Sequence, residues 1–387
     1  MNNIRVKRSK KKSLLLVRPD YHCSFFYRDE LRKLGWKVDI YVPWSYPDHL
    51  LYSHDDIIRP PKVPKFFPKN RVFDSLFADL WFLLRSVRYR HHLYYGGSPE
   101  WFSAMSLLFP KTWSTFAFRF STFWGSKLIY LPTGCLEELS KAEYSLLDSG
   151  AVCNNCGYWD RCDDTINLKN FERVRTYFHK AISFGITPVT QYHATHMRWK
   201  IIDLDLWNPE LAVPKEHRLA STKSLKVLHS FSSGGRDFEG RNVKGSPFIR
   251  VAVERLRSEG HDVEFMFLSD KNSRDMRFYQ VQADIIVEQL RAGWWGSTGV
   301  ETMALGKPVV CYLRTEWKDF FLRKFPEYQD LPIVEASVDN IYEVLKQLLD
   351  DPEQRAKYGE RSRKFAEQHF EPEKNARDLS QFLLDLK

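Results

Sequence analysis

The chain has 387 residues, 43% of them hydrophobic, and a net charge of +9. At ~150 residues per domain the length suggests two domains, and the apolar share excludes a disordered chain or a disulfide-stapled mini-protein. Part of the positive charge is local: Arg5, Lys7, Arg8, Lys10, Lys11 and Lys12 make a basic tail over residues 1–12. Such a tail is solvated, or holds an anionic membrane surface or nucleic acid. The remaining basic residues are spread rather than striped, which argues against a nucleic-acid partner.

In chain order, apolar runs of strand length alternate with helical periods. Residues 13–17 read as a short buried strand, 25–34 as a helix closed by Gly35, and 37–42 as the next strand. Residues 71–88 carry the wide apolar face of a helix, within an aromatic-rich region that reads as amphipathic and suited to membrane contact or to packing. Strands follow at 91–95 and 127–131, the latter running into Pro132, Thr133, Gly134 and Cys135. A helix at 170–182 and a strand at 187–190 close the first half. Residues 212–224 are polar, carry Pro214 and read as a linker. The alternation then restarts, with strands at 225–229, 262–268, 283–287 and 308–313 and helices at 247–259, 297–305, 338–349, 352–369 and 372–386. This is the pattern of an α/β chain with two Rossmann-like parallel sheets and ligands at the carboxyl ends of the strands, facing an interdomain cleft. The division reads as an N-terminal domain over 13–214, a second domain over 222–370, and a last helix in 371–387 that packs back on the first domain.

Arg18 and Asp20 end the first apolar run too early for a signal core, and no stretch of about 18 uncharged apolar residues occurs. The expected location is cytoplasmic, with peripheral contact at the inner membrane face. After the first strand stands Arg18-Pro19-Asp20-Tyr21-His22 rather than a glycine-rich dinucleotide fingerprint, which argues against a dehydrogenase.

Four of the six cysteines, Cys135, Cys153, Cys156 and Cys162, fall in an insertion over 135–165. The C-x2-C pair and polar, turn-rich surroundings suit a structural zinc that would fill all four positions with thiolates. An iron–sulfur cluster and unligated or redox-active thiols are the other readings.

The most informative stretch is 283–311. A strand leads into a loop with Gly293, Gly296 and Gly299, and a helix starts near Ser297 or Thr298. Its N-terminus offers unpaired N–H groups and a positive dipole end, a site for phosphate. Glu301, in the first helical turn, can accept from ribose hydroxyls. Upstream, a strand ends at His229 and a polar loop carries Arg241 and Lys244 to the mouth of the sheet, where they can neutralise a diphosphate as its charge grows. Each segment also reads more plainly, as a capped strand-to-helix turn and as a solvated basic loop.

The run GWWGSTGVETMALGKPVV (293–310) resembles the signature of glycosyltransferase family 4, retaining enzymes of the GT-B fold. His229-Ser230 and Lys244-Gly245 resemble that family's donor-phosphate segment, and Ile202-Asp203-Leu204-Asp205-Leu206-Trp207-Asn208-Pro209 resembles its interdomain stretch. The likeness runs from about residue 200 to the end. It implies a nucleoside-diphosphate sugar as donor and a saccharide or lipid-linked hydroxyl acceptor, in surface polysaccharide or glycolipid synthesis. It implies Glu301 on the ribose, Gly296, Ser297, Thr298 and Gly299 around the diphosphate, and Arg241 and Lys244 neutralising it, with no metal needed for the chemistry. Two departures stand out. Gly293 occupies a position where the family often has Glu near the transferred sugar, with Glu288 five residues upstream. Thr133-Gly134 stands where members often show His-Gly. The alternative reading is a non-catalytic GT-B subunit that binds nucleotide or a partner.

Overall fold

Leu14, Leu15, Leu16 and Val17 are all buried, as a strand covered on both faces requires. They belong to β1 (Ser13–Val17), which pairs in parallel with β2 (Lys37–Tyr41) on one side and β4 (His91–Tyr95) on the other. β3 (Ile57–Ile58), β5 (Lys127–Leu131), β6 (Lys180–Ser183) and β7 (Ala194–His196) complete a sheet ordered β3-β2-β1-β4-β5-β6-β7. The second sheet comprises β8 (Leu225–Phe231), β9 (Val263–Ser269), β10 (Ile285–Gln289), β11 (Val309–Cys311) and β12 (Ile333–Glu335), in the order β12-β11-β10-β8-β9 and again parallel. The computed structural model describes residues 12–43, 46–61, 71–96, 115–132, 139–154, 156, 162–183, 194–231 and 244–386. The expectations for residues 1–11, Thr133, Gly134, Cys135, the strand at 187–190 and Arg241 lie outside the described residues.

Most predicted elements appear within a few residues of their expected bounds. The first helix begins earlier, at Tyr21–Lys33, because the Asp20 backbone N–H donates to Ser24 Oγ at 2.7 Å and fixes the entry. The segment read as one helix over 170–182 divides into a helix, Asp164–Tyr177, and strand β6. Asp163 caps that helix by accepting from the Thr165 N–H. Ala181 then pairs with Tyr130 of β5, so an apolar run shared by two elements resembles one long helix.

The chain leaves the first sheet after β7 and crosses to the second through residues 197–224. Trp199, Ile201, Ile202 and Trp207 are fully buried there, in a core shared by both halves that includes Leu16, Phe26, Val300, Met303 and Phe365. The last helix, Pro372–Asp385, returns to the helix Tyr21–Lys33, with Leu379 and Leu383 buried and Trp36 Nε1 donating to Ser380 Oγ at 2.8 Å. The two halves are therefore joined by one buried seam and by a terminal strap.

Candidate active site

Each sheet reverses its strand order at one place: between β1 and β4 in the first, between β8 and β10 in the second. Crevices at such points, beyond the carboxyl strand ends, are where open α/β sheets bind ligands. Here the two crevices face each other.

On the second sheet, β10 ends in Glu288 and Gln289, both buried. Lys244 stands just before the helix Ser246–Ser258, and its ammonium donates to Glu288 Oε1 at 3.1 Å and to the Ser230 carbonyl at 3.1 Å. His229 lies beneath them, fully buried. Its Nδ1 is 2.7 Å from the Val287 carbonyl and its Nε2 is 2.6 Å from Ser246 Oγ, so the ring ties β8 to β10 and to the start of the next helix. Burial, chiefly, and then the Lys244 charge push its pKa down to about 3, so the ring is neutral. One ring nitrogen donates to the carbonyl and the other accepts from the hydroxyl. His229 thus acts by holding the crevice in shape.

The loop after β10 turns at Gly293, whose φ is +83°. A side chain there would run into the Arg314 side chain. The Arg314 chain therefore fills the space beside residue 293, and its guanidinium stacks against Tyr144 and Trp294. That packing is a physical reason for glycine at this departure from the resembled signature.

The helix Ser297–Ala304 starts after Gly296 with no side-chain cap, so the N–H groups of Ser297, Thr298 and Gly299 have no partner within the helix. The Glu288 carboxylate lies beside this end: its Oε1 is 3.1 Å from an ideal Cβ at Gly296, which is why a larger residue would crowd it. Its Oε2 is buried and has no hydrogen-bond partner among the described residues.

Glu301, one turn further on, is 7% exposed. Gln280 Nε2 donates to its Oε2 at 2.6 Å, and His22 Nδ1 lies 3.3 Å from Oε1, out of hydrogen-bond alignment. Burial, chiefly, raises its pKa to about 7, with the Glu288 charge adding to the rise and Gln280, Lys244 and Lys200 opposing it. Burial also lowers that of His22 to about 3. The carboxyl is therefore poised between its charged and neutral forms near neutrality, beside a neutral imidazole.

Sequence reasoning missed the contribution of the first sheet. Asp20, fully buried after β1, accepts from Trp199 Nε1 at 2.9 Å and from the Lys200 ammonium at 2.9 and 2.7 Å on its two oxygens. Burial, chiefly, and then the Asp20 charge hold the Tyr95 phenol at the end of β4 well above its ordinary pKa. Lys200 Nζ reaches 3.3 Å from Ser297 Oγ, on the first residue of the uncapped helix. Burial works against the lysine charge, and Asp20 outweighs it, so the ammonium pKa lies above its ordinary value. The Asp20-Tyr21-His22 run after the first strand carried a signal, since a polar cluster at a parallel strand's carboxyl end marks a crevice. The role of Lys200 carried none, because it depends on the crossing of the chain.

The segment after β5 spans to the second half. Tyr144 OH donates to the Ala292 carbonyl at 3.2 Å, the Asp148 N–H donates to Glu316 Oε1 at 2.7 Å, and Tyr312 OH donates to Asp148. Cys153 packs in the same small cluster, near Trp294 and Tyr312. The Cys156 N–H donates to the Cys153 carbonyl at 3.1 Å, a tight turn across the C-x2-C pair. Burial and the neighbouring Cys156 and Cys162 raise the Cys153 pKa. Among the described residues no group of three or more candidate ligands is arranged to hold a metal; Cys135 is not among them.

The chain matches Anabaena HepE, solved in complex with UDP and glucose, with a TM-score of 0.60 at 11% identity, over 96% of this chain and 99% of that one. It matches the sucrose-phosphate synthase of Thermosynechococcus elongatus at 0.57 and 12% identity, over 96% and 98% of the two chains. A glycosyltransferase of Rickettsia africae gives 0.57 and 11%, over 98% and 99%. The fold is GT-B: two facing parallel-sheet α/β domains. No protein-family model matches the sequence, and no curated protein sequence matches it.

Proposed function

We propose that this chain transfers a sugar from a nucleoside-diphosphate sugar to a hydroxyl acceptor. One observation carries the reading: the uncapped start of the helix Ser297–Ala304 stands at the β8/β10 crevice with Lys244 beside it and Glu301 one turn in. The helix N–H groups and Lys244, with Arg241 as the family resemblance implies, stabilise the charge that develops on the leaving diphosphate. Glu301 accepts from the ribose once Gln280 and His22 yield to it. The unpartnered Glu288 Oε2 is available to a sugar hydroxyl. That HepE was solved with UDP and glucose on the same fold supports a nucleotide-sugar donor. Following the resemblance to family 4, the transfer proceeds with retention, by front-face attack assisted by the departing phosphate and without a metal in the chemistry.

The acceptor is read as a saccharide or lipid-linked sugar at a membrane face, in surface polysaccharide or glycolipid synthesis. Leu80 and Leu84 are exposed on the helix Arg71–Ser86, and Phe123 and Trp124 are exposed at the end of the helix packed beside it. Among the described residues no helix is long and apolar enough to cross a membrane. A structural zinc would be held by Cys135, Cys153, Cys156 and Cys162; a zinc content that Cys156→Ser leaves unchanged would remove that assignment.

Donor turnover tests the main reading. Incubation with a panel of nucleoside-diphosphate sugars and acceptor extracts should release nucleotide. Glu301→Ala and Lys244→Ala should each weaken nucleotide binding and product formation by about tenfold or more, the scale of hydrogen bonds to charged groups. Unchanged affinity and turnover in both variants would sink it. Nucleotide binding without sugar release would favour a non-catalytic GT-B subunit, the reading that Gly293 and its Arg314 neighbour favour.

A further inference from the structure

We propose that Lys200, on the segment that crosses between the two sheets, is a further contact for the donor diphosphate and the link through which the first sheet senses it. This rests on the donor reading above and adds a residue from outside the second domain.

Lys200 lies where the two switch-point crevices meet. Its ammonium is shared between Asp20, which follows β1, and Ser297, which begins the helix at the β10 crevice. The two short contacts to Asp20 take up two of the three ammonium N–H groups. A further contact, 3.3 Å to Ser297 Oγ, is longer and points at a helix end that has no side-chain cap among the described residues. A phosphate oxygen accepting from the helix-end N–H groups sits about 2.9 Å from the nitrogen, next to the residue that Lys200 already touches, Ser297. A second observation at the same place points to the rest of the donor: the buried Oε2 of Glu288, 3.5 Å from an ideal Cβ at Gly299, has no partner among the described residues, and as an acceptor it suits a sugar hydroxyl next to the diphosphate rather than a phosphate oxygen.

The electrostatics fit a guest that comes and goes. Both described cations carry their own carboxylate, Lys244 with Glu288 and Lys200 with Asp20. Each ammonium can turn part of its hydrogen bonding toward an arriving phosphate while keeping its carboxylate partner. Because Asp20 follows β1 and also accepts from Trp199 on the crossing segment, a pull on Lys200 reaches the first sheet.

The test separates phosphate contact from seam structure. Calorimetric titrations with UDP, GDP and ADP, and with the matching nucleosides, identify the base that wild type binds. Lys200→Met should then weaken the diphosphate at least about tenfold, about 1.4 kcal/mol, and leave the nucleoside within about twofold; Lys200→Arg should restore most of the difference. Should Lys200→Met fold poorly in a thermal melt, the double variant Asp20→Asn with Lys200→Met removes both buried charges together and should show the same selective loss. Equal losses for nucleoside and diphosphate, or no loss at all, would overturn the proposal while leaving the donor reading intact. Wild-type protein that binds none of the three diphosphates would bring down the donor reading itself.

Discussion

At the scale of single residues, the site is governed by how burial sets charge. Glu301 is poised near pH 7 because burial disfavours its carboxylate more than Gln280, Lys244 and Lys200 favour it. On the proposed donor reading, ribose hydroxyls donate to Glu301, and the ionised carboxylate is the stronger acceptor. Nucleoside affinity should therefore rise as pH goes from about 6 to about 8 and level off above the pKa. Glu301→Gln should bind more weakly at high pH and lose that slope, which a titration across pH with a nucleoside measures without the phosphate's own ionisation. The stability effect runs the other way. A carboxyl whose folded pKa is raised from 4.5 to about 7 stabilises the fold fully below 4.5 and loses that contribution as pH rises to about 7. His22, lowered from 6.5 to about 3, opposes it, favouring the fold increasingly as pH rises from about 3 to 6.5. Lys244 poses a separate problem, because Glu288 beside it is 2% exposed. Lys244→Met leaves that carboxylate without its cation, at a cost of about 3–5 kcal/mol unless it takes up a proton. Adding Glu288→Gln should recover most of the loss, which denaturant midpoints of the two variants will show.

At the scale of elements, the loop from β10 into the helix Ser297–Ala304 was legible in its glycines, its capping position and its Glu301. Its departure at Gly293 was visible but not its reason. The resembled signature places a carboxylate there; this chain places the Arg314 side chain across the position, contributed by the loop after β11. Gly293→Ala combines a left-handed backbone, costing roughly 1–2 kcal/mol for a non-glycine residue, with a contact that Arg314 must retreat from. A loss of about 2 kcal/mol or more in a urea titration is expected. Gly293→Glu should lose still more stability rather than gain activity, and its combination with Arg314→Ala should be milder. Equal midpoints for wild type and Gly293→Ala would show that Arg314 yields freely.

At the scale of the whole molecule, two sheets share one buried seam, and the last helix straps the first sheet to the second half. Ala376, Leu379 and Leu383 are fully buried against that layer. Losing even two such leucines costs ~4–10 kcal/mol, against a net stability of about 5–15 kcal/mol. Truncation after residue 371 should therefore abolish cooperative thermal unfolding of the chain, and a melt with an unchanged midpoint would contradict the strap. The sequence by itself determined the alternation of strands and helices, the restart after the linker, and the phosphate-suited turn before Glu301, because periodicity, glycines and helix starts are local properties. Only the tertiary structure decided that Asp20, His22 and Lys200 meet Ser297 and Glu301, and that Arg314 fills the space beside Gly293. Those contacts join residues as many as 279 positions apart, as with His22 and Glu301. They depend on the way two sheets turn their carboxyl ends toward one seam, which no local pattern records.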